Sequence, residues 1–176
     1  DPGTFVIIDQ FIDRTFAREK SFFETGMVAH VAFGQPVCSR LGDVLEETCK
    51  KINIKSVRGG TYLAMEGPQF STLAESRLYK EWGCDVIGMT NMPEAKLARE
   101  AEMCYATVAM VTDFDCWHPE HDSVSVDSII KVLLKNAEMG ASLIKEVTPK
   151  LSKQAILCSQ GCHHALDNAL ITSPDS

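Results

Sequence analysis

No stretch of this sequence approaches 18 consecutive apolar residues, and no leader-like pattern is visible, so neither a membrane span nor export is expected. An excess of positive charge is also lacking. Acids outnumber bases 24 to 17, for a formal charge of -7, and such a chain is a poor candidate for a general nucleic-acid binder. A small anionic substrate stays admissible, because a few local donors can hold one. Repeats and low-complexity segments are missing. The seven cysteines are odd in number and irregular in spacing, which does not suit a disulfide framework. Reduced thiols in a cytoplasmic protein are the expectation. No Cys-x2-Cys pair of the kind that builds structural zinc sites occurs.

What is present is an ordinary globular composition: 176 residues, 45% hydrophobic and 23% charged, with mean hydropathy near zero. That suits one domain with a real core. Residues 4–9 read as a buried strand, and residues 39–52 as a helix with Leu41, Val44, Leu45, Cys49 and Ile52 on one face. Residues 57–65 read as one strand containing Gly59 and Gly60. Ser71 is placed to cap a helix over 72–82, and 85–88 is a short strand. Pro93 opens a helix over 94–101. Residues 105–112 read as a strand buried on both faces, and 126–147 as a long amphipathic helix. After Pro149 the pattern weakens, so residues 1–150 are assigned to one domain and 151–176 to a peripheral segment. Alternating strands and helices predict an α/β fold with helices on both faces of the sheet. A strand-like start after only three residues suggests that the chain is a fragment.

In such folds ligands collect beyond the carboxyl ends of strands. Two exits stand out, residues 88–93 and 112–117. Asp113 and Asp115 leave one strand on the same side, because extended side chains alternate. Two carboxylates there can bind a metal, act as an acid/base pair, accept from a polar ring edge, or simply cap the next helix. The other exit leads into a helix whose N-terminus can receive a phosphate or a ribose; an ordinary turn reads the same way. Cys116, His118 and His121 form one apparent metal cluster, and Cys158, Cys162, His163 and His164 another. Neither has the spacing of a closed zinc set, and no metal is expected.

Four segments occur in order: FVIIDQFIDRT at 5–15, EGPQFS at 66–71, VIGMTNMPE at 86–94 and TDFDCW at 112–117. Together they resemble the methylthioadenosine phosphorylases, within the trimeric purine nucleoside phosphorylase family. The likeness runs from residue 4 to about residue 147. It implies a mixed, largely parallel sheet flanked by helices. It also implies phosphorolysis of 5′-methylthioadenosine to adenine and 5-methylthioribose 1-phosphate, in purine and methionine salvage. Phosphate is then a co-substrate, and no cofactor is required.

By resemblance, Asp113 is the general acid at purine N7, and Asp115 accepts from the 6-amino edge or holds Asp113 in place. Met89 packs beneath the ribose, Thr90 and Thr112 meet phosphate, and Phe70 and Ser71 line the base site. Val126 lines the 5′-methylthio pocket, and His30 reaches a neighbouring subunit's site in a homotrimer. Relatives acting on 6-oxopurines carry glutamate and asparagine where Ser71 and Asp113 stand, so adenine is favoured here. The family's glycine-rich phosphate loop and Arg-His phosphate ligands fall before residue 1, and its C-terminal helix has no clear match. The chain alone is therefore expected to be inactive. Two other readings are a phosphorylase acting on methylthioinosine or purine nucleosides, and a non-catalytic purine-binding remnant.

Overall fold

The computed structural model describes residues 1–23, 25–119, 126–151 and 158–172. The core begins with β1 (Phe5–Ile7), which is buried throughout. Its side chains alternate between two apolar clusters. Phe5 packs with Cys49, Ile54, Leu143 and Val147. Val6 and Ile8 face the opposite side and pack with Tyr62, Ala64, Met92 and Ala95. The first cluster is closed by α1 (Ser39–Lys51) and α4 (Val126–Val147), the second by α3 (Glu94–Glu100). Helices thus cover both faces, as the alternation of elements predicts.

The strands form two three-stranded sheets. In one, β1 lies between β3 (Ser56–Arg58), to which it is parallel, and β6 (Val108–Met110), to which it is antiparallel. In the other, β2 (Gln10–Arg14), β4 (Thr61–Met65) and β5 (Val86–Gly88) run parallel in that order. Mixed and largely parallel therefore describes the pairing correctly.

Residues 57–65 are not one strand. Gly59 and Gly60 take φ of 85° and 137°, conformations that side chains rarely tolerate, and the chain turns there from one sheet into the other. The neighbouring chain turns at the same level, between Ile7 and Gln10. Asp9 stitches the two bends: its carboxylate accepts from Gly60 N–H at 3.1 Å, and its own N–H donates to the Gly60 carbonyl at 3.2 Å. The strand β2 on the far side of this bend is invisible to a pattern read as one run from 4 to 9.

Two other expectations change. Residues 105–112 contribute only the short β6, which pairs with β1 alone and leaves Met110 largely exposed. It is an edge strand, so it need not be buried on both faces. The helix α2 (Leu73–Glu81) is capped by Thr72, not Ser71. Thr72 Oγ1 accepts from Glu75 N–H at 3.2 Å, and Glu75 returns a carboxylate to Thr72 N–H at 2.8 Å, a reciprocal capping box. Among the described residues no helix is long and apolar enough to cross a membrane.

Asp13, near the end of β2, gathers the elements around it. It accepts from Thr15 N–H at 2.9 Å, from Thr15 Oγ1 at 2.6 Å and from Lys96 of α3, and Lys20 lies 3.3 Å away. Burial alone would raise its carboxyl, but the hydrogen bonds from Lys96 and Thr15 hold it well below the usual carboxylate range. A carboxyl depressed in the fold adds stability above its unfolded pKa of about 4, and that contribution is lost as pH falls towards the folded value. Asp13→Asn should therefore lose about 1.5–3 kcal/mol at pH 7. The deficit should shrink below about pH 4, where the unfolded carboxyl protonates. Urea unfolding of both proteins across this range measures it, and a deficit that does not change with pH would show that the ionised carboxylate is not the stabilising group.

Candidate active site

Because β2, β4 and β5 are parallel, their carboxyl ends emerge on one side. A cavity of about 570 Å³ opens among the segments that follow β4, β5 and β6 and the flank of α2. That size accommodates a small organic ligand. Met65, Phe70, Ser71, Met89, Thr112, Asp113 and Asp115 all line it. Folding thus brings together in one cavity six of the sequence-predicted site residues (Phe70, Ser71, Met89, Thr112, Asp113 and Asp115).

Asp113 and Asp115 share this wall but have different surroundings. Asp115 is anchored: Ser76 Oγ, buried on α2, donates to one oxygen at 2.5 Å, and Cys116 N–H donates to the other at 2.8 Å. Asp113 accepts from Thr112 Oγ1 at 2.7 Å. Its second oxygen has no partner among the described residues. One carboxylate is held at both oxygens, while the other has a single partner among the described residues. Ser71 ties the EGPQFS turn to both sides, with its hydroxyl 3.8 Å from Met65 Sδ and its carbonyl 3.7 Å from Cys116 Sγ. Phe70 stands at the rim and is 86% exposed. Lys80 Nζ lies 3.3 Å from the Trp117 ring centroid, a cation–π contact at the cavity edge.

Met89 is set by close approach. A Cβ on Gly67, at φ 72°, would lie 2.6 Å from Met89 Sδ, so only glycine leaves the thioether its place. Thr90 is exposed, does not line the cavity, and its hydroxyl lies 3.0 Å from Tyr62 OH. Tyr62 also accepts from Thr90 N–H at 3.3 Å. The arrangement requires Gly88, since a Cβ there would sit 2.1 Å from the phenol oxygen. Thr112 lines the cavity, but its hydroxyl is committed to Asp113.

Two contributors escaped the sequence reading. Asn91 adopts φ 69° and is buried, with its side-chain oxygen accepting from Tyr105 OH at 2.8 Å and Thr107 Oγ1 at 2.9 Å. Those bonds hold the 88–93 turn. Arg18 is the second. Its guanidinium donates to the carbonyls of Met65, Glu66, Met89 and Met92 and pairs with the Glu66 carboxylate at 3.0 Å. Glu66 in turn accepts from Phe16 and Ala17 N–H. Those backbone bonds, with Arg18, hold its carboxyl below the usual range. An arginine soon after FVIIDQFIDRT, followed far along by a glutamate opening EGPQFS, was the only available signal.

His30 does not line this cavity; its N–H donates to the Ala169 carbonyl at 2.8 Å. The Val126 side chain, assigned to the methylthio pocket, lies outside the described residues, as does His121. The apparent cluster of Cys158, Cys162, His163 and His164 does not gather as a set. Cys158 and Cys162 meet Cys38 and Cys104 instead, while His164 pairs with Asp167 at 3.1 Å.

Residues 1–149 match the model of the phosphorylase superfamily. The chain belongs to that superfamily. Within it, the chain is 65% identical over 174 residues to the S-methyl-5′-thioadenosine phosphorylase of Rhodospirillum rubrum, covering 99% of this chain and 59% of that protein. It is 58% identical to the enzyme of the same name from Cereibacter sphaeroides, over 98% of this chain and 60% of that one. A crystal structure of a methylthioadenosine phosphorylase from an Antarctic soil metagenomic library superposes with a TM-score of 0.90 at 45% identity, over 99% of this chain and 61% of that one. The Schistosoma mansoni methylthioadenosine phosphorylase in complex with adenine superposes with a TM-score of 0.80 at 32% identity, over 87% and 61%. The chain therefore spans about three fifths of the length of these relatives.

Arg18→Lys keeps the charge but loses the planar fork that reaches several carbonyls at once. It should lower stability by about 2–4 kcal/mol, the sum of lost charge-assisted bonds and stranded carbonyls. Urea unfolding gives the size of the loss. Hydrogen exchange should localise it to residues 65–67 and 89–92, and unchanged protection there would remove Arg18 from its assigned place.

Proposed function

We propose that a protein carrying this chain cleaves 5′-methylthioadenosine with phosphate, yielding adenine and 5-methylthioribose 1-phosphate. The observation that carries this reading is the pairing of Asp113 and Asp115, one open and one anchored, in a cavity shared with Ser71 and Met89. The relatives' names and the adenine-bound relative support it.

As the bond from C1′ to purine N9 breaks, negative charge grows on the purine and the sugar becomes cationic. Asp113, protonated, gives its proton to N7 and so stabilises the leaving base. Asp115, held by Ser76 and Cys116 N–H, remains an acceptor for the 6-amino group. An ionised carboxylate repels a 6-oxo oxygen and accepts from an amine, so the pair selects adenine over hypoxanthine. Ser71, where relatives acting on 6-oxopurines carry a glutamate, adds no second charge at that edge. Met89, wedged against Gly67, provides an apolar floor for the ribose. Phosphate enters on the Thr112 side and, on binding, draws the Thr112 hydroxyl away from Asp113. Thr90 reaches phosphate after exchanging its Tyr62 contact for the anion. Val126 bounds the methylthio end. No organic cofactor and no metal takes part in this chemistry.

We further place the protein in the cytoplasm as a homotrimer. The segment around His30 is fastened to its own chain by Glu100, which accepts from Ser21 Oγ at 2.8 Å and Phe22 N–H at 2.6 Å. Ile171 N–H donates to the Val28 carbonyl at 3.1 Å, joining this segment to the C-terminal residues. Phe22, Val28, Leu170 and Ile171 remain largely exposed on it, an apolar surface suited to a neighbouring subunit. His30 then serves the neighbour's 5′ side.

Four outcomes are expected of the full-length protein. Adenine release from methylthioadenosine should require added phosphate, and hydrolysis at the same rate without it would replace phosphorolysis with a hydrolase reading. kcat/KM for methylthioadenosine should exceed that for methylthioinosine by at least about 100-fold. Asp113→Asn should lower kcat by about 100-fold or more, with adenine affinity changed far less; an unchanged kcat would remove Asp113 from proton transfer. Sedimentation should give a trimer, with His30→Ala raising the KM for methylthioadenosine. A fully active monomer would refute the shared site.

A further inference from the structure

Four cysteines that are scattered in the sequence converge on one point away from the cavity. Cys38 precedes α1, Cys104 follows α3, and Cys158 and Cys162 lie in the C-terminal segment. Their four sulfurs all lie within 4.8 Å of one another. Cys158 Sγ is 3.6 Å from Cys38 Sγ and 3.4 Å from Cys162 Sγ. Three of the four residues are buried, and Leu41 packs over them. Four sulfurs bound tetrahedrally at about 2.3 Å from a zinc ion stand roughly 3.8 Å apart. The thiols are already near that spacing.

Buried thiols need no hydrogen-bond donors, whereas metal-bound thiolates are steadied by them. The turn that carries Cys158 and Cys162 is closed by Gly161, at φ 68°, whose N–H donates to the Cys158 carbonyl at 2.9 Å. Arg40 Nη2 lies 3.9 Å from Cys104 Sγ, while its Nε is buried without a partner among the described residues. A positive side chain sits where four thiolates around a divalent ion would leave net negative charge.

We propose that Cys38, Cys104, Cys158 and Cys162 form a structural zinc site. The set is closed, with four protein sulfurs and no open position, so the ion holds structure and does no chemistry. Binding displaces the four thiol protons to solvent and fastens the C-terminal segment to the start of α1 and the end of α3. Gln160 reinforces the same junction, its Oε1 accepting from Ser39 N–H at 2.6 Å. The linear reading missed this site because it sought four ligands in one stretch. Only Cys158 and Cys162 are neighbours in sequence, and folding supplies the other two.

The test uses the full chain, purified under reducing conditions without chelator. Elemental analysis should find about one zinc per chain. Cys162→Ser should lose it, while Cys84→Ser, outside the cluster, should keep it. Cobalt(II) exchanged into the wild-type chain should give thiolate-to-metal charge-transfer bands and the intense visible bands of tetrahedral four-sulfur coordination. This holds the proposal to account even if Cys162→Ser fails to fold. A metal-free chain with its thiols free would overturn it. So would iron in place of zinc, or a mass below that of the fully reduced chain, which signals disulfides.

Discussion

The site depends on one cation. Beyond the ends of β4 and β5, the backbone carbonyls have no neighbouring strand to bond to. Arg18 supplies the missing donors to Met65, Glu66, Met89 and Met92. Unpaired carbonyls in such a place are costly, and a single planar group reaches all of them only because it comes from a third segment, beyond β2. Glu66 balances its charge and binds the backbone at Phe16 and Ala17, so the arginine's own loop is fixed by the residue it supports. Met89 and the turn into EGPQFS are thereby held at a fixed separation, as a ligand between them requires.

The double bend at Asp9 and Gly60 explains how these exits come to lie together. Two adjacent parallel chains leave one sheet at the same level and enter the other as β2 and β4. The buried β1 therefore positions the site, and its Val6 lines the same cavity. Substitutions in its apolar clusters would act through packing. Truncating Phe5 to alanine, for example, costs about 3–5 kcal/mol in a rigid core.

Much of this was legible in the sequence, for identifiable reasons. The apolar spacing of α1 and α4 is local and survives folding, and the alternation of elements was enough for the α/β class. Six site residues share a cavity because the EGPQFS, VIGMTNMPE and TDFDCW segments each lie at or just beyond the carboxyl end of a strand. The failures share a cause as well. The break at Gly59-Gly60 looks, in one dimension, like a strand with two small residues. Thr72 and Ser71 are equally good caps until Glu75 chooses between them. Arg18, Asn91 and the gathering of Cys38 with Cys162 depend on partners far along the chain, and spacing rules do not reach them.

The placement of β1 also governs the order in which the molecule can assemble. It is the first of the described strands to be synthesised and the central strand of its sheet. Its parallel neighbour arrives only with residues 56–58, and its antiparallel neighbour only with residues 108–110. Until then its apolar side chains on both faces lack the strands and helices that cover them in the fold. Closing such long loops is slow because the entropy is lost before the contacts form. Among the described strands, β1 is thus the one that waits longest for its neighbours, and its apolar faces stay prone to association until β6 and α4 emerge.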